Sequence, residues 1–514
     1  MHVGASQMTR TIYFGPPGTG KTATLLERLE EHLAVARIAP ERIAFLTFTR
    51  RARAEAVSRV ERVLGITSRD LPHFRTIHSM AFKALRLSDG DVVGREQLAE
   101  FGKLMGMEFG DVAYTEQAAE GLNASATGDQ LLAIDNLSRL RGSTIRAVWR
   151  EAGSAVEWPV VDQFCRSYRE FKRERGLLDF TDVLTEYAAR GEPLAVDVAF
   201  IDEAQDLSTL QWHAALRAVG GAQAQYVAGD DDQAIYRWAG ADVESFMALE
   251  GEREILKHSY RLPRAVHACS TRILSRIKRR VEKEFAPRDA DGLVVRHATH
   301  ESLPLAPDDR WLWLVRNRYL LAPLRDYLQA QGVVYTMHGA SSVLESERTA
   351  IYTWERLRAG RACDVVAVRE MYKKLRGGTQ IKRGHKLLPE CADDALLTLE
   401  ELRAQHGLLI GGAWFDVFVS IPISRRTYYR RLLRTHNTLR LPPTVQLETI
   451  HGSKGAEAPR VALFVEQSRR TWEEAQQHPD EEHRVWYVGA TRAREELHVV
   501  EAVGRYAYRF PFAT

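Results

Sequence analysis

Short apolar runs alternate with helical patterns along most of this chain. The runs typical of buried strands are TIYFG (11–15), IAFLTF (43–48), VDVAFID (196–202), AQYVAGD (224–230), WLWLV (311–315), VQLETI (445–450), VALFV (461–465) and ELHVV (496–500). Segments between many of these runs carry apolar residues at helical spacing. A strand followed by a helix, repeated several times, is typical of a parallel sheet with helices on both faces.

Two stretches interrupt this alternation and divide the chain. Residues 85–175 and 361–440 show amphipathic helical patterns and loops, with few runs that would form a buried strand. We interpret both as insertions, because the remaining residues are about the right number for two α/β domains. The predicted domain ranges are 1–84 with 176–261 for the first domain and 262–360 with 441–514 for the second.

The composition is that of an ordinary soluble protein with several compact units. The chain has 514 residues, of which 45% are hydrophobic and 27% are charged, which argues against a mostly disordered or fibrous protein. No apolar run reaches the roughly 18 residues that span a membrane. The first ten residues, MHVGASQMTR, lack the apolar stretch of a secretion signal. We therefore expect a cytoplasmic protein that has no membrane partner.

Net charge and cysteine content add little to this picture. Lys and Arg number 71 against 68 Asp and Glu, and the net charge of +3 is too small to indicate a nucleic-acid partner by itself. Cys165, Cys269, Cys363 and Cys391 are widely spaced, with no C-x-x-C pair and no histidines at zinc-ligand spacing beside them. We expect reduced, mostly buried thiols and no structural metal.

A phosphate-binding loop follows the first predicted strand. The segment TIYFGPPGTGKT (11–22) runs from a strand through G-x-x-x-x-G-K-T into a helical pattern, which is the context that a P-loop requires. The glycines let backbone N–H groups turn towards a phosphate, Lys21 supplies a positive charge, and the Thr22 hydroxyl can hold magnesium. The predicted site comprises Gly15, Pro16, Pro17, Gly18, Thr19, Gly20, Lys21 and Thr22. The alternative is a glycine-rich turn that binds nothing.

Two carboxylates follow a later buried strand. In VAFIDEAQD (198–206) the apolar run ends at Asp202 and Glu203, at the strand end where α/β sheets bind ligands. Asp202 can bind the magnesium, and Glu203 can orient and deprotonate an attacking water. Acids that cap a helix N-terminus are the alternative. Together with the P-loop, the pair favours nucleotide hydrolysis.

Further motifs follow the P-loop in a fixed order. They are LTFTRRARAEA (46–56), TIHS (76–79), DFTDVL (179–184), IDEAQD (201–206), AGDDDQAIYRWAGAD (228–242), SYR (259–261), TIHGSKGAE (449–457) and YVGATRARE (487–495). In this order the chain resembles the superfamily 1 helicases of the UvrD/Rep/PcrA group, and among them the compact UvrD-like helicases of bacteriophages. The resemblance implies two RecA-like parallel-sheet P-loop domains, with a helical accessory insertion at 85–175 and a reduced one at 361–440.

The same resemblance implies ATP and Mg²⁺ as cofactors. The catalytic residues that the resemblance implies for this chain are Lys21, Asp202, Glu203, Gln233, Arg261 and Arg492. Gln233 would sense the γ-phosphate, and Arg261 and Arg492 would contact it from the second domain, because an arginine fork suits charge spread over phosphoryl oxygens. Tyr260 would lie against the adenine and Glu457 near the ribose. Thr22 and Asp202 would hold the metal.

A helicase also needs a groove that follows the phosphate backbone and aromatic faces on which bases stack. Phe48, Tyr236 and Trp238 lie just beyond predicted strand ends, and the resemblance implies that Phe48 and Trp238 meet single-stranded DNA. The matching backbone-contact candidates are Thr47, Arg50, Thr76, His78, Arg237, Thr449 and His451. A buried core position for Trp238 and structural roles for the two histidines are the alternatives.

Positive charge concentrates in two segments. The first basic segment, residues 257–283, carries nine Lys and Arg and one acid, and the second basic segment, residues 425–440, carries six arginines and no acid. Either could face DNA, although a charge run is usually a solvated helix face.

The resemblance implies an ATP-dependent DNA helicase of a bacterial cell or a phage-infected host. It would bind single-stranded DNA and duplex DNA with a single-stranded tail, move 3′→5′, and couple ATP hydrolysis to unwinding. Two alternatives stay open. One is a single-strand translocase or protein-displacing ATPase, and the other is an ATP-binding scaffold subunit of a nuclease or defence complex. The sequence names no replication, repair or recombination partner.

Overall fold

The structure is a computed structural model that divides into two compact units. It describes residues 8–48, 50–110, 126–306, 309–388, 391–392 and 394–512, without the side chains of residues 50–52. Unit 1 comprises Met1–Gly292, Glu473–Thr491 and Pro511–Thr514, and unit 2 comprises Leu293–Trp472 and Arg492–Phe510. The domain ranges predicted above stay predictions.

The strands and helices up to Gly292 belong to unit 1. The strands are β1 (Thr9–Phe14), β2 (Ile43–Thr47), β3 (Phe74–Thr76), β4 (Val198–Ile201), β5 (Ala224–Gly229) and β6 (Glu252–Ile255). The helices are α1 (Lys21–Glu30), α2 (Arg50–Leu64), α3 (Ile77–Ala84), α4 (Arg95–Met105), α5 (Thr127–Leu140), α6 (Ile145–Ala152), α7 (Trp158–Arg175), α8 (Phe180–Arg190), α9 (Thr209–Ala218), α10 (Val243–Met247) and α11 (Arg264–Leu274).

The rest of the chain forms unit 2, except that it returns to unit 1 at Glu473–Thr491 and again at Pro511–Thr514. The strands are β7 (Leu293–His297), β8 (Trp311–Val315), β9 (Tyr335–Met337), β10 (Ala340–Ser341), β11 (Cys363–Asp364), β12 (Leu396–Leu397), β13 (Val445–Thr449), β14 (Ala458–Phe464) and β15 (Ala493–Val500). The helices are α12 (Leu321–Gln331), α13 (Glu345–Arg358), α14 (Val365–Lys373), α15 (Leu399–Ala404), α16 (Trp414–Val417), α17 (Ile423–His436), α18 (Arg469–Gln477) and α19 (Pro479–Ala490). Helix α19 lies in unit 1.

The sheet of unit 1 is parallel and has the strand order β3-β2-β4-β5-β1-β6. Helices cover both faces. Leu25 of α1 and Phe200 share one core, whereas Leu184 of α8 and Ile201 share the other. This explains why the central strands are continuous apolar runs. All six carboxyl ends therefore meet at one edge, where β1 leads into the P-loop and β4 into Asp202.

A helical layer formed by α4 to α7 packs around its own core, which includes Phe101 and Tyr168. An ion cluster ties α5 and α7 to α8. Asp179 lies 2.8 Å from Arg139 Nη2 and 2.5 Å from Lys172 Nζ. Burial alone would raise the pKa of Asp179, but the two cations and their hydrogen bonds outweigh it and hold that pKa below its ordinary value.

The sheet of unit 2 has the strand order β10-β9-β13-β8-β14-β15-β7. Its neighbours are parallel, apart from the antiparallel pair β9 and β10. Trp313 of β8 and Trp354 of α13 belong to one continuous core that also includes residues of α14 and α17. The predicted α/β fold with two parallel sheets is confirmed.

Two further features concern the cysteines and the helices. Cys165, Cys269 and Cys363 are buried free thiols, and Cys391 is half-buried. No helix among the described residues is both long and apolar enough to cross a lipid bilayer.

Candidate nucleotide and nucleic-acid site

The P-loop has the geometry that its glycines predict. Gly18 and Gly20 adopt positive φ angles of 73° and 86°, a region that favours glycine. A Cβ atom at Gly15 would lie 2.1 Å from Lys21 Cγ, so a larger residue would displace the lysine. The Lys21 ammonium donates to Gly15 O at 2.7 Å, which folds this side chain back along the loop. Helix α1 begins at Lys21, and its N-terminal N–H groups and positive dipole end suit a phosphate.

Thr22 and Asp202 come together as a pair of oxygen donors. The Thr22 hydroxyl donates to Asp202 Oδ2 at 2.8 Å, and Asp202 is fully buried. Burial, helped by the adjacent Glu203 charge, raises the pKa of Asp202 to about 7. Hydroxyl and carboxylate oxygens are ligands that Mg²⁺ accepts, so the donor set fits the predicted metal.

Glu203 is held in an unusual backbone conformation. Its φ is 54°, in the left-handed region that costs a non-glycine residue about 1–3 kcal/mol. Its Oε2 accepts a hydrogen bond of 2.6 Å from the side-chain amide of Gln205, which is completely buried. Gln205 therefore fixes the carboxylate that the sequence predicts as the base. Sequence reasoning did not single out Gln205, although it lies in the same IDEAQD motif.

The hydrogen bonds continue from Gln205 to the end of β5. The Asp230 N–H donates to Gln205 Oε1 at 2.9 Å, and the Gln233 side-chain amide donates to Asp230 Oδ2 at 2.6 Å. A Cβ at Gly229 would lie 2.8 Å from Gln205 Oε1, so glycine lets the amide approach. A continuous line of polar contacts thus joins Glu203, Gln205, Asp230 and Gln233, which we call the polar line.

The SYR segment lies directly against the P-loop. The Ser259 hydroxyl donates to Pro17 O at 2.7 Å, and the Tyr260 N–H donates to Gly18 O at 2.9 Å. A Cβ at Gly18 would lie 2.3 Å from Arg261 Cβ. Tyr260 is 70% exposed, so its ring offers a face beside the loop. Ser259 is a further residue that sequence reasoning missed, because its partner lies 242 residues away.

Three aromatic rings form a row in unit 1. The Phe48 and Tyr236 ring centroids are 6.1 Å apart, and those of Tyr236 and Trp238 are 6.4 Å apart. All three side chains are half-buried. Arg141 donates to the carbonyl of Arg237 at 2.8 Å and so supports this segment from α5.

The other candidates of unit 1 differ in exposure. Thr47 and Thr76 are buried, and Thr76 accepts from Ser79 N at 3.3 Å as the N-cap of α3. The His78 ring is half-buried and lies 6.5 Å from the Phe180 ring. Arg237 is exposed and lies 3.2 Å from Glu481 Oε1. The predicted contact at Arg50 involves a side chain outside the described residues.

The remaining candidates lie in unit 2. Thr449 ends β13, where its hydroxyl accepts from Gly452 N at 3.0 Å, and His451 is half-buried in the following turn. Glu457 lies 3.3 Å from Arg494 Nη1. Arg492 is buried, and its Nη1 donates to Ala456 O at 3.4 Å. Ala456 and Glu457 are therefore neighbours of Arg492 and Arg494 within this unit.

The two basic segments have different surroundings. In the first, Arg280 lies 2.7 Å from Asp232 Oδ2, and Lys283 is buried among carboxylates. In the second, which α17 largely forms, the Arg430 guanidinium lies 4.0 Å from the Phe415 ring centroid, and Arg431 and Arg434 are exposed.

Two family models match this chain. The UvrD/REP helicase N-terminal domain matches residues 5–254, and the UvrD-like helicase C-terminal domain matches residues 431–503. The chain belongs to the UvrD/REP helicase family. The N-terminal match of this UvrD/REP member includes the P-loop and Asp202, and the C-terminal match includes β13, β14 and β15.

Named relatives of this UvrD/REP chain are distant. It is 24% identical to the ATP-dependent DNA helicase PcrA of Bacillus subtilis over 303 residues, which are 54% of this chain and 39% of the relative. It is 24% identical to DNA helicase II of Escherichia coli over 324 residues, covering 56% of this chain and 41% of the relative. It is 21% identical to the ATP-dependent DNA helicase Rep of Buchnera aphidicola over 269 residues, covering 48% of this chain and 38% of the relative. The chain thus spans about two fifths of the length of these relatives.

Proposed function

We propose that this protein is an ATP-dependent DNA helicase that moves along single-stranded DNA and separates the strands of a duplex. The observation that carries the proposal is the polar line, which runs from the predicted base Glu203 to Gln233. Gln233 lies three residues before Tyr236, which belongs to the row of aromatic rings. One short segment thus connects a phosphate site with rings on which bases can stack. The names of the relatives, ATP-dependent DNA helicases PcrA and Rep, support the same function.

The nucleotide chemistry is proposed from the residues of unit 1. Lys21 neutralises phosphate charge, and Thr22 with Asp202 holds Mg²⁺, which would supply further positive charge at the phosphate oxygens. Glu203 accepts a proton from the attacking water, and Gln205 keeps the carboxylate oriented. Tyr260 offers its exposed ring to the adenine.

Contacts to the γ-phosphate are proposed for Gln233 and Arg261. Arg261 lies beside Gly18 of the P-loop, and Gln233 ends the polar line. Both positions suit side chains that respond to the presence of a third phosphate. The roles of Arg492 and Glu457 in unit 2 stay predictions from the resemblance.

Single-stranded DNA is proposed to stack on Phe48, Tyr236 and Trp238. Stacking on an aromatic side chain is worth about 1–3 kcal/mol per base and tolerates any sequence. The 3′→5′ direction, the cytoplasmic location, the phage-like character and the accessory roles of 85–175 and 361–440 stay predictions.

The first experiment is steady-state ATP hydrolysis at low salt, with and without single-stranded DNA. Strong stimulation by DNA, followed by unwinding of a 3′-tailed but not a 5′-tailed duplex, is the expected result. Stimulated hydrolysis without strand separation would favour the translocase or protein-displacing ATPase. ATP binding without turnover would favour the scaffold. Turnover that ignores DNA would contradict the proposal.

A further inference from the structure

Three consecutive carboxylates are buried at the end of β5. Asp230, Asp231 and Asp232 are each inaccessible to solvent, and one oxygen of each lies within 4.8 Å of the others. Neighbouring buried carboxylates repel one another and lose their hydration, so they require cations close by.

Lys283 of the first basic segment meets all three carboxylates. Its side chain is 1% exposed, and its ammonium lies 3.3 Å from Asp230 Oδ1 and 2.9 Å from Asp232 Oδ2. It also donates to Asp231 Oδ1. An ammonium has three donors, so one lysine can serve three carboxylates at once. The position that a metal ion could take in this cluster is therefore occupied by a side chain.

Neighbouring groups complete the cluster. Arg280 forms a two-pronged contact with Asp232, through Nε at 2.8 Å and Nη2 at 2.7 Å. The Val281 N–H donates to Asp231 Oδ2 at 2.8 Å. Arg484 of α19 donates to the Asp231 carbonyl at 2.8 Å. Residues 280–283 and α19 thus hold the loop after β5 from two sides.

The cluster shares one carboxylate with the polar line. Asp230 Oδ1 faces Lys283, while Asp230 Oδ2 accepts from Gln233 and the Asp230 N–H donates to Gln205. Because Gln205 Oε1 is engaged by this N–H, the Gln205 amide nitrogen must point towards Glu203. Lys283 is therefore two contacts from Gln233 and three from Glu203.

We propose that Lys283 is a positioning residue for nucleotide hydrolysis, whose ammonium fixes Asp230 and thereby orients both Gln233 and Gln205. The proposal rests on the proposed ATPase function. Without this charge, Asp232 would keep Arg280, but Asp230 and Asp231 would face each other with no ammonium between them, and Asp230 could no longer hold the two glutamines in place. A purely structural ion pair would instead affect stability and leave turnover per bound nucleotide unchanged.

The test compares the 514-residue chain with its Lys283→Met variant in DNA-stimulated ATP hydrolysis. We expect kcat to fall at least tenfold, while KM for ATP changes less than threefold and the bound amount of a fluorescent non-hydrolysable ATP analogue stays near one per chain. The matched control is Arg279→Met in the same segment, where the side chain is 74% exposed and faces Glu244. Its kcat is expected to equal that of the wild type.

A second variant covers the case in which Lys283→Met does not fold. Lys283→Arg keeps the charge, but a planar guanidinium cannot match the three-way contact, so we expect a folded protein with kcat reduced several-fold and unchanged nucleotide binding. Wild-type kcat in whichever variant folds would overturn the inference. Absence of turnover in the wild type would instead contradict the proposed function.

Discussion

The first basic segment, residues 257–283, turns key charges inward, whereas the second, residues 425–440, keeps arginines on the surface. Arg280 and Lys283 lie against Asp231 and Asp232, while Arg431 and Arg434 are exposed on α17. Both segments are strongly basic, but the first meets a cluster of three buried carboxylates, whereas the second meets one buried carboxylate, Glu347, through Arg425. The charge of a basic segment therefore does not by itself show what the segment contacts. The burial of the neighbouring carboxylates decides this, because a buried carboxylate needs a cation far more than a solvated one does.

The largest expected effect is at Glu203, the carboxylate at one end of the polar line. Glu203→Gln removes the proposed base but keeps the side-chain shape, so we expect ATP turnover to fall about a hundredfold to ten-thousandfold while ATP binding persists. Turnover and nucleotide binding are measured on the same preparation. Glu192→Gln, at an exposed glutamate, is the control. Wild-type turnover in Glu203→Gln would show that another group takes the proton.

The next effect concerns stability in the first basic segment. Arg280→Met leaves Asp232, whose side chain is 1% exposed, without its two-pronged partner. Breaking a buried ion pair from one side costs about 3–5 kcal/mol, so the free energy of unfolding in urea should fall by that order. Arg279→Met next to it should cost under about 1 kcal/mol, as exposed pairs do. Equal losses in the two variants would remove the contrast between inward and outward charges.

A smaller effect is expected for binding to the aromatic row. Trp238→Ala should weaken single-stranded DNA binding by about 1–3 kcal/mol, since one stacking face is lost. Fluorescence anisotropy with a labelled oligonucleotide measures this change, and the exposed Tyr319 of unit 2 supplies the control variant Tyr319→Ala. An unchanged affinity would assign Trp238 to packing alone.

The smallest effect on the fold is expected in the second basic segment. Replacing Arg430, Arg431 and Arg434 by Gln should leave unfolding almost unchanged but should flatten the salt dependence of DNA binding. Each lost phosphate contact lowers the slope of log K against log salt by about 0.7 for a single strand. Arg356→Gln with Arg358→Gln on α13 serves as the control pair. An unaltered slope in the triple variant would mean that this segment does not touch the backbone.

Much of the fold follows from local patterns. Each of the apolar runs predicted as a strand forms one, and WLWLV coincides with β8. The strands that were not predicted include β6 and β7, which lie at sheet edges and have exposed or half-buried residues. An edge strand buries less of its surface, so its sequence carries a weaker apolar signal.

The candidate site likewise contains residues that local motifs predict and residues that they do not. The P-loop, Asp202 and Glu203 are predictable because their chemistry depends on neighbours in sequence. Gln205 could have been noticed beside Glu203, but its contact with Asp230 spans 25 residues. Lys283 reaches Asp231 across 52 residues. Such contacts depend on the topology of the sheet, which no single motif encodes.

Helix α19 has a consequence for how the protein is made. Its Arg484 holds the Asp231 carbonyl across 253 residues of chain, and the chain passes between the units at Gly292, Trp472, Thr491 and Phe510. During synthesis the early part of unit 1 must therefore leave the ribosome without this helix and wait while unit 2 is translated. Contacts over such a separation form slowly, so the loop after β5 is expected to reach its final shape late. The nascent chain is thus expected to complete its proposed hydrolytic centre only after Leu293–Trp472 of unit 2 have been translated.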